Sequence, residues 1–502
     1  PRAGLAVAML AAVAAVAAVA GVAGVLPAQI TQAEYASRRD AFTSRVNADG
    51  VYLVLGTAEP KENYENFWQG QNFRYLTGFL EPGAALLIVR KAGRDQAMLF
   101  VESRDPAQEV WTGERLGVAA VNGALGMEGR NTATLRTVLD SVLAGGAMLH
   151  AVGDFSRSGG ADVPGTRGPR TVDDQFLDGL KERHRELKVV DATRDVMALR
   201  GTKSAAELAL IRMAAKVSAT AHREVLGGIA PGMNEFEVQA LAEYTFRRNG
   251  GDRPSYGSIV GSGPNSTTLH YNRDDRFMHA GEVLNMDMAT YYGGYSADIT
   301  RTVPVSGKYS PAQRDVYQIV LDAQVAAERQ IKVSNAFRQL NDSALAVLKH
   351  GLARLGLIES PDATYEENGR KVPQYRLYYM HGLGHPIGLD VHDVDAYTSG
   401  ALAEGSVFTI EPGIYVRMNT VGVIPDTPVN AAFRAKIAPA VKKYANIGVR
   451  IEDDYVVTAS GFDRISADAP REMDAIEREM AMRRGPAARD SATVEAYKRI
   501  RP

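Results

Sequence analysis

The chain has 502 residues, 45% of them hydrophobic and 23% charged, with no cysteine and a formal net charge of -2. Lacking cysteine, it can have no disulfide, thiolate zinc site, iron–sulfur cluster, cysteine nucleophile or lipoprotein anchor, and its balanced charge gives no basic coat for nucleic acid. The composition is globular, about 150 residues per domain allows roughly three domains, and any metal must be held by His, Asp and Glu.

Residues 3–28 are uncharged and mostly Ala and Val, with Arg2 before them and Leu26-Pro27-Ala28 closing on a small residue. This reads as a signal peptide over 1–28, and the body is expected to be exported, periplasmic or secreted. The run is also long enough to span a bilayer, so an uncleaved leader would tether the protein to a membrane. Next come short apolar runs bounded by Gly or Pro: Val51-Tyr52-Leu53-Val54-Leu55, Ala84-Ala85-Leu86-Leu87-Ile88-Val89 and Ala97-Met98-Leu99-Phe100-Val101. They predict buried strands of a small α/β domain over 31–165. The stretch 156–169, rich in Gly, Ser, Pro and Arg, reads as a linker or exposed loop.

After Val189-Val190-Asp191 the texture changes to longer helices. Ser204-Ala205-Ala206-Glu207 is a capping box, Asn234-Glu235-Phe236-Glu237 opens a second helix that Gly250-Gly251 stops, and Ser310-Pro311 opens a third. A fourth is expected over 334–356. From 467 to 502 the chain turns charged and helical, broken at Arg483-Arg484-Gly485-Pro486, and reads as a surface appendage.

The strands between these helices hold the chemistry. Stretches 283–291 and 295–303 are strand-like, and Gly293-Gly294 between them predicts a hairpin. A turn centred on that pair sets Asp287 opposite Thr300 and Asp298 opposite Ala289. Asp287 and Asp298 are then diagonal neighbours on one face, within reach of a shared ion. Two surface aspartates fit the same pattern, and surface is the commoner place for Asp. In His381-Gly382-Leu383-Gly384-His385-Pro386-Ile387-Gly388-Leu389-Asp390-Val391-His392, three of nine histidines fall within twelve residues. The glycines and Pro386 predict loop or strand. Val407-Phe408-Thr409-Ile410-Glu411-Pro412-Gly413 predicts a buried strand ending in a carboxylate before a turn, costly unless paired or metal-bound. Val449-Arg450-Ile451-Glu452-Asp453-Asp454 predicts another, in which an ion pair with Arg450 accounts for Glu452 as well as metal ligation does. Together the acids favour manganese, or zinc and cobalt in mixed oxygen and nitrogen sites, and four carboxylates nominally balance two dications. Such a pair activates water for hydrolysis without a protein nucleophile.

With these motifs the sequence resembles the pita-bread metallopeptidases, and most of all aminopeptidase P. The paired aspartates Asp287 and Asp298, His385 of the His-Gly-Leu-x-His stretch, Glu411 of Glu-Pro-Gly and Glu452 of Arg-Ile-Glu-Asp-Asp match the family's five dimetal ligands. His270, in Leu269-His270-Tyr271, matches its substrate-facing histidine, His381 and His392 its further active-site histidines, and Arg450 the arginine behind the ligands. Tyr75-Leu76-Thr77-Gly78-Phe79 and Trp111-Thr112-Gly113-Glu114-Arg115 resemble its amino-terminal domain.

The resemblance implies a curved antiparallel sheet covered by helices over 187–466, preceded by the smaller α/β domain. It implies two divalent ions, most consistent with Mn2+ and open to Zn2+ or Co2+, and release of the first residue of peptides with proline second. The attacking group would be a hydroxide bridging the metals, with Glu411 as proton carrier, His270 and His392 on the carbonyl, His381 in the proline pocket and Arg450 orienting the acids. It also implies a homodimer or homotetramer. An Xaa-Pro dipeptidase (prolidase), a metal-free binding module and an envelope scaffold are the alternatives. Three departures stand out: Asn72 replaces a frequent Asp, 394–404 lacks an arginine many members carry, and 418–445 is long and reads as a subfamily loop.

Overall fold

In a computed structural model the described residues are 30–62, 64–155, 170–394 and 400–482. The predicted leader, the 156–169 linker and the end of the charged tail lie outside them. No helix among the described residues is long and apolar enough to cross a membrane.

The amino-terminal part is built on a six-stranded sheet: β1 (Gly50–Leu55), β2 (Ala85–Lys91), β3 (Arg94–Val101), β4 (Glu128–Asn131), β5 (Leu149–Val152) and β6 (Val189–Asp191), in spatial order β4-β3-β2-β1-β5-β6. The three runs read from the sequence are β1, β2 and β3. They are continuously apolar because the sheet is covered on both faces. Val51, Leu53, Leu87 and Phe100 enter one core, while Tyr52, Val54, Leu86 and Leu99 enter another. That second core also contains Ile387, Leu389, Val407 and Val456, so the sheet packs on the catalytic part. Strand β6 pairs parallel with β5, and the first domain therefore extends to Asp191, past the expected limit at 165. A further helix, Val172–Arg183, belongs to this sheet's apolar cover.

The catalytic part repeats one plan. Helices Ala205–Gly228 and Glu235–Arg248 precede β7 (Ile259–Ser262), β8 (Val283–Asp287), β9 (Tyr291–Tyr292), β10 (Tyr295–Ser296) and β11 (Thr300–Pro304). Helices Pro311–Glu328 and Phe337–Arg354 then precede β12 (Thr364–Glu367), β13 (Arg370–Pro373), β14 (Val407–Ile410), β15 (Gly413–Val416), β16 (Ile447–Arg450), β17 (Asp453–Thr458) and β18 (Gly461–Arg464). This is the curved antiparallel sheet under helices that the family resemblance implies. Ser204, Asn234 and Ser310 close capping boxes as read from the sequence.

The hairpin register is the expected one, with Asp287 opposite Thr300 and Tyr292 opposite Tyr295. The strands are not continuous, however. Between the two ladders only single bonds survive, Met288 N–H to the Ile299 carbonyl and Ala297 N–H to the Thr290 carbonyl. His222, from the helix Ala205–Gly228, reaches into this break, its Nε2 3.0 Å from the Met288 carbonyl and 3.1 Å from the Ile299 carbonyl. Two other expectations change. Pro412 is no turn but the point where one extended run changes partners, β14 pairing with β17 and β15 with β16. The long 418–445 stretch is mostly helix, Thr420–Val423 and Pro428–Tyr444.

The chain after 466 is not a surface appendage as far as it is described. Helix Met473–Ala481 buries Ile476 and Met480 completely in the catalytic core, and Ala469 is fully buried. Its charge belongs to specific pairs, Glu477 with Lys308 at 2.7 Å and with Arg314 at 2.6 Å. Charged residues on the outer side masked the apolar pair at i and i+4.

Candidate metal centre

All five expected ligands meet in one cavity of about 540 Å³, lined also by Tyr256, His270, His381, His392 and Arg450. The first half of the catalytic part contributes Asp287 at the end of β8 and Asp298 in the break before β11. The second contributes His385 from the glycine-rich loop, Glu411 between β14 and β15, and Glu452 between β16 and β17. Ligand atoms of Asp298, His385 and Glu452 lie within 4.8 Å of one another. His385 Nε2 is 3.4 Å from Asp298 Oδ2 and 3.8 Å from Glu411 Oε1.

The loop's glycines have a steric role here. Gly384 crosses β14 so closely that a Cβ on it would strike the Thr409 carbonyl. That approach lets Thr409 Oγ1 accept from the His385 N–H at 3.1 Å. The His385 Nδ1 donates to the Pro386 carbonyl at 3.1 Å, which leaves the Nε2 lone pair facing the acids.

The electrostatics fit bound cations. Burial above all, then Asp287, pushes the Asp298 carboxyl well above its ordinary range; burial, then Asp298, does the same for Glu452. Burial, followed by the neighbouring Glu452, pushes Glu411 up to about 8. Carboxylates crowded in a buried site repel unless protons or cations lie between them. Arg450 is the cation that enters this cavity among the described residues, and it is engaged by Asp287 at 2.6 Å. The donor set, four carboxylates and one imidazole, therefore suits divalent cations.

Arg450 does not pair with Glu452, whose Oε2 instead accepts from the Thr300 hydroxyl at 2.7 Å. Arg450 Nε donates to that same hydroxyl oxygen at 3.2 Å, and its Nη1 donates to the Tyr415 hydroxyl oxygen at 3.1 Å. Tyr415 in turn donates to His381 Nε2 at 2.8 Å, and His381 Nδ1 donates to the Gly382 carbonyl at 2.8 Å. Burial, reinforced by Arg450, lowers His381 to about 4 and keeps it neutral. His392 lies tilted against His385 with ring centroids 4.1 Å apart, and burial, then the neighbouring histidines, lowers it as well. His270 lies exposed at the cavity wall.

Several functional neighbours had no legible signal. The Tyr256 hydroxyl lies 2.5 Å from Asp287 Oδ1 and 2.6 Å from Asp298 Oδ1. Tyr415 and Thr300 were equally silent, each sitting in an ordinary strand. Asp454 accepts from the Asp298 N–H at 3.1 Å and fixes that ligand's backbone from behind. Arg200, buried between the two parts, donates to Asn72 at 2.7 Å and to Asp390 and Asp393 at 2.5 Å each. Asn72 thus keeps the contact to the histidine loop although it is not the acid often found there.

The comparisons agree with this geometry. The model of metallopeptidase family M24 matches residues 209–459, and that of the aminopeptidase P amino-terminal domain matches 35–150. A Xaa-Pro aminopeptidase of Haemophilus influenzae is 32% identical over 457 residues, covering 90% of this chain and 97% of the relative. The Escherichia coli Xaa-Pro aminopeptidase is 31% identical over 90% of this chain and 98% of its own. Zinc-substituted E. coli aminopeptidase P with product superposes with a TM-score of 0.75 at 28% identity, covering 91% of this chain and all of that one. The same enzyme with the inhibitor Pro-Leu gives 0.74 at 28%, covering 90% and 99%. The chain belongs to metallopeptidase family M24 and is a metal-dependent aminopeptidase of the aminopeptidase P group.

Proposed function

We propose that this enzyme releases the first residue of peptides that carry proline at the second position. The observation that carries the reading is the placement of Glu411, a partly buried carboxylate 3.8 Å from His381 on one side and from His385 on the other, at the wall of the cavity that gathers the other four candidate ligands. Relatives named Xaa-Pro aminopeptidase, matched over nearly their whole length, support it.

Asp287, Asp298, His385, Glu411 and Glu452 would hold two divalent cations, manganese by the hardness of the oxygen ligands, with zinc or cobalt acceptable to the same set. Bound cations supply acidification of a water molecule and polarisation of the scissile carbonyl. Glu411 takes the proton of the attacking water and delivers it to the prolyl nitrogen as the bond breaks. His270 and His392 hold the carbonyl oxygen as negative charge develops on it. Neutral His381, locked by Tyr415 and Gly382, forms the wall against which the proline ring packs. Arg450 and Tyr256 fix the Asp287 and Asp298 carboxylates, so the ligand set is preorganised.

The test is a panel of Xaa-Pro peptides of two, three and more residues, with and without added manganese. Release of the first residue from tripeptides and longer is expected. Cleavage of dipeptides alone would make the enzyme a dipeptidase, and no cleavage in any metal would sink the reading. We also propose export, on the uncharged run 3–28. Amino-terminal sequencing of the protein from cell fractions tests it, and a cytoplasmic chain retaining that run would refute it.

A further inference from the structure

Glu235 is the first residue of the helix Glu235–Arg248 and is completely buried. Its partners all come from one segment. Oε1 accepts from the Ser262 N–H at 2.6 Å, the Ser262 hydroxyl at 2.7 Å and Asn265 Nδ2 at 3.2 Å. Oε2 accepts from the Tyr271 hydroxyl at 2.9 Å and the Arg276 N–H at 3.0 Å. The Glu235 N–H donates back to the Arg276 carbonyl at 3.0 Å. These donors sit at both ends and in the middle of residues 262–276, the stretch that brings Leu269, His270 and Asn272 to the cavity.

A buried carboxylate without a counter-ion is costly. Among the described residues no ion pair involves Glu235. Arg276, the nearest basic residue in the segment, gives its guanidinium to Glu282 at 2.6 Å and to the Ser262 hydroxyl oxygen at 2.8 Å. Five donors and the positive end of the helix take the place of water around the charge. Hydrogen bonds to an ionised acceptor are shorter and stronger than to a neutral one, so this arrangement gives rigidity that an amide would not. The rigidity is spent next to the site. Tyr271 follows His270, and the Leu269 carbonyl before it accepts from Arg450 Nη2 at 3.5 Å. His270 is therefore held between one anchor on the active-site arginine and another on Glu235.

We propose that Glu235 is a positioning residue for the reaction: its carboxylate fixes the 262–276 segment and so sets the reach of His270 into the cavity. The proposal rests on the reading of His270 as a substrate-facing group. It is tested on the full chain, manganese-supplemented, by double-mutant cycles of Glu235→Gln and Tyr271→Phe, each against His270→Ala. Misplacement of a contact group by about 1 Å costs on the order of a hundredfold, so Glu235→Gln is expected to lower kcat/KM by roughly ten- to a hundredfold with metal content unchanged. Its split between kcat and KM should match that of His270→Ala. Tyr271→Phe, which removes one hydrogen bond, should cost about three- to tenfold. Added to His270→Ala, neither should cost anything further, because the group they position is already gone. Multiplying effects, or full activity in both variants, would overturn the proposal. Should Glu235→Gln fail to fold, the Tyr271→Phe cycle decides: coupling supports the role and additivity refutes it. A fully active His270→Ala would overturn the reading of His270 itself and the proposal with it, visible from that single variant.

Discussion

Asp287 is gripped on both oxygens: Arg450 Nη2 holds Oδ2 at 2.6 Å and the Tyr256 hydroxyl lies 2.5 Å from Oδ1. The same hydroxyl lies 2.6 Å from Asp298 Oδ1. One hydroxyl proton serves one carboxylate at a time, so the second contact is comfortable only when a proton or a cation lies beside the pair. Asp287 and Asp298 are thus spaced by groups outside the ligand set.

Replacing Arg450 should therefore act through the metal site. Arg450→Ala leaves the buried Asp287 without its ionic partner on Oδ2 and frees Tyr415 from one donor. Changes of this kind cost about 10- to 100-fold in metal affinity or activity. Elemental analysis after dialysis against limiting manganese, alongside kcat/KM, measures both. Wild-type values in both would remove Arg450 from the mechanism.

Tyr256→Phe should retain the fold, since the ring stays in place, and lose about 10-fold or more in activity. A thermal melt within a few degrees of wild type, paired with the activity loss, is the expected result. Equal losses of melting temperature and activity would instead mean that the hydroxyl is structural.

Metal removal should destabilise the protein and make it pH-sensitive. Ligands that bind only the folded state add RT ln(1 + [L]/Kd), about 2.7 kcal/mol at a hundredfold excess over Kd. Without metal, Asp298, Glu411 and Glu452 have folded pKa values raised above their unfolded ones. Their protonated forms fit the fold, so the contribution of these acids to apo stability is fullest at acid pH and is lost as pH rises through about 8, where Glu411 ionises. The gap in melting temperature between chelated and manganese-loaded enzyme should widen from pH 6 to pH 8. A constant gap would argue against metal at these acids.

His222 predicts the opposite slope. Burial, then the charge of Arg301, lowers it from 6.5 to about 4, so the folded chain favours the neutral ring. Its contribution is complete above 6.5 and is lost as pH falls through about 4, amounting to roughly 3 kcal/mol. Urea unfolding of wild type and His222→Gln between pH 7 and pH 4 compares them. The amide keeps a donor for the Met288 and Ile299 carbonyls, and the variant should lose less stability on acidification. Parallel curves would show that His222 does not titrate in this range.

Ile476→Ala should cost about 2–5 kcal/mol, as removal of a fully buried side chain does. A chain ending at residue 466 should not fold stably. Wild-type denaturation of either would contradict the docking of helix Met473–Ala481.

Much of the site was readable because its chemistry is local. The glycine pair at 293 and 294 alone sets the register that puts Asp287 opposite Thr300, and the loop from His381 to His392 concentrates its histidines. Tyr256 was not readable. It lies in a loop 31 residues before Asp287, with neither periodicity nor a neighbouring motif, and only the folded chain brings it between two aspartates. Glu452 stayed ambiguous because alternation put Arg450 on its face, whereas the break between β16 and β17 turns Arg450 toward Asp287. Strand β6 was missed for a different reason. Three residues at a sheet edge carry too little pattern to separate them from the loop before and the helix after.

Because Asp287 and Asp298 come from one half of the catalytic part and His385, Glu411 and Glu452 from the other, the ligand set closes late in folding. The contacts that complete the site join residues far apart in the chain, His385 with Asp298 and Arg450 with Asp287. Interactions absent from the folding transition state act on the unfolding rate, and closure over such sequence separations predicts that a bound cation acts there. Metal-loaded enzyme should unfold more slowly than the apo form while refolding at the same speed, and its resistance to proteolysis is then a kinetic property set by how seldom the two halves part.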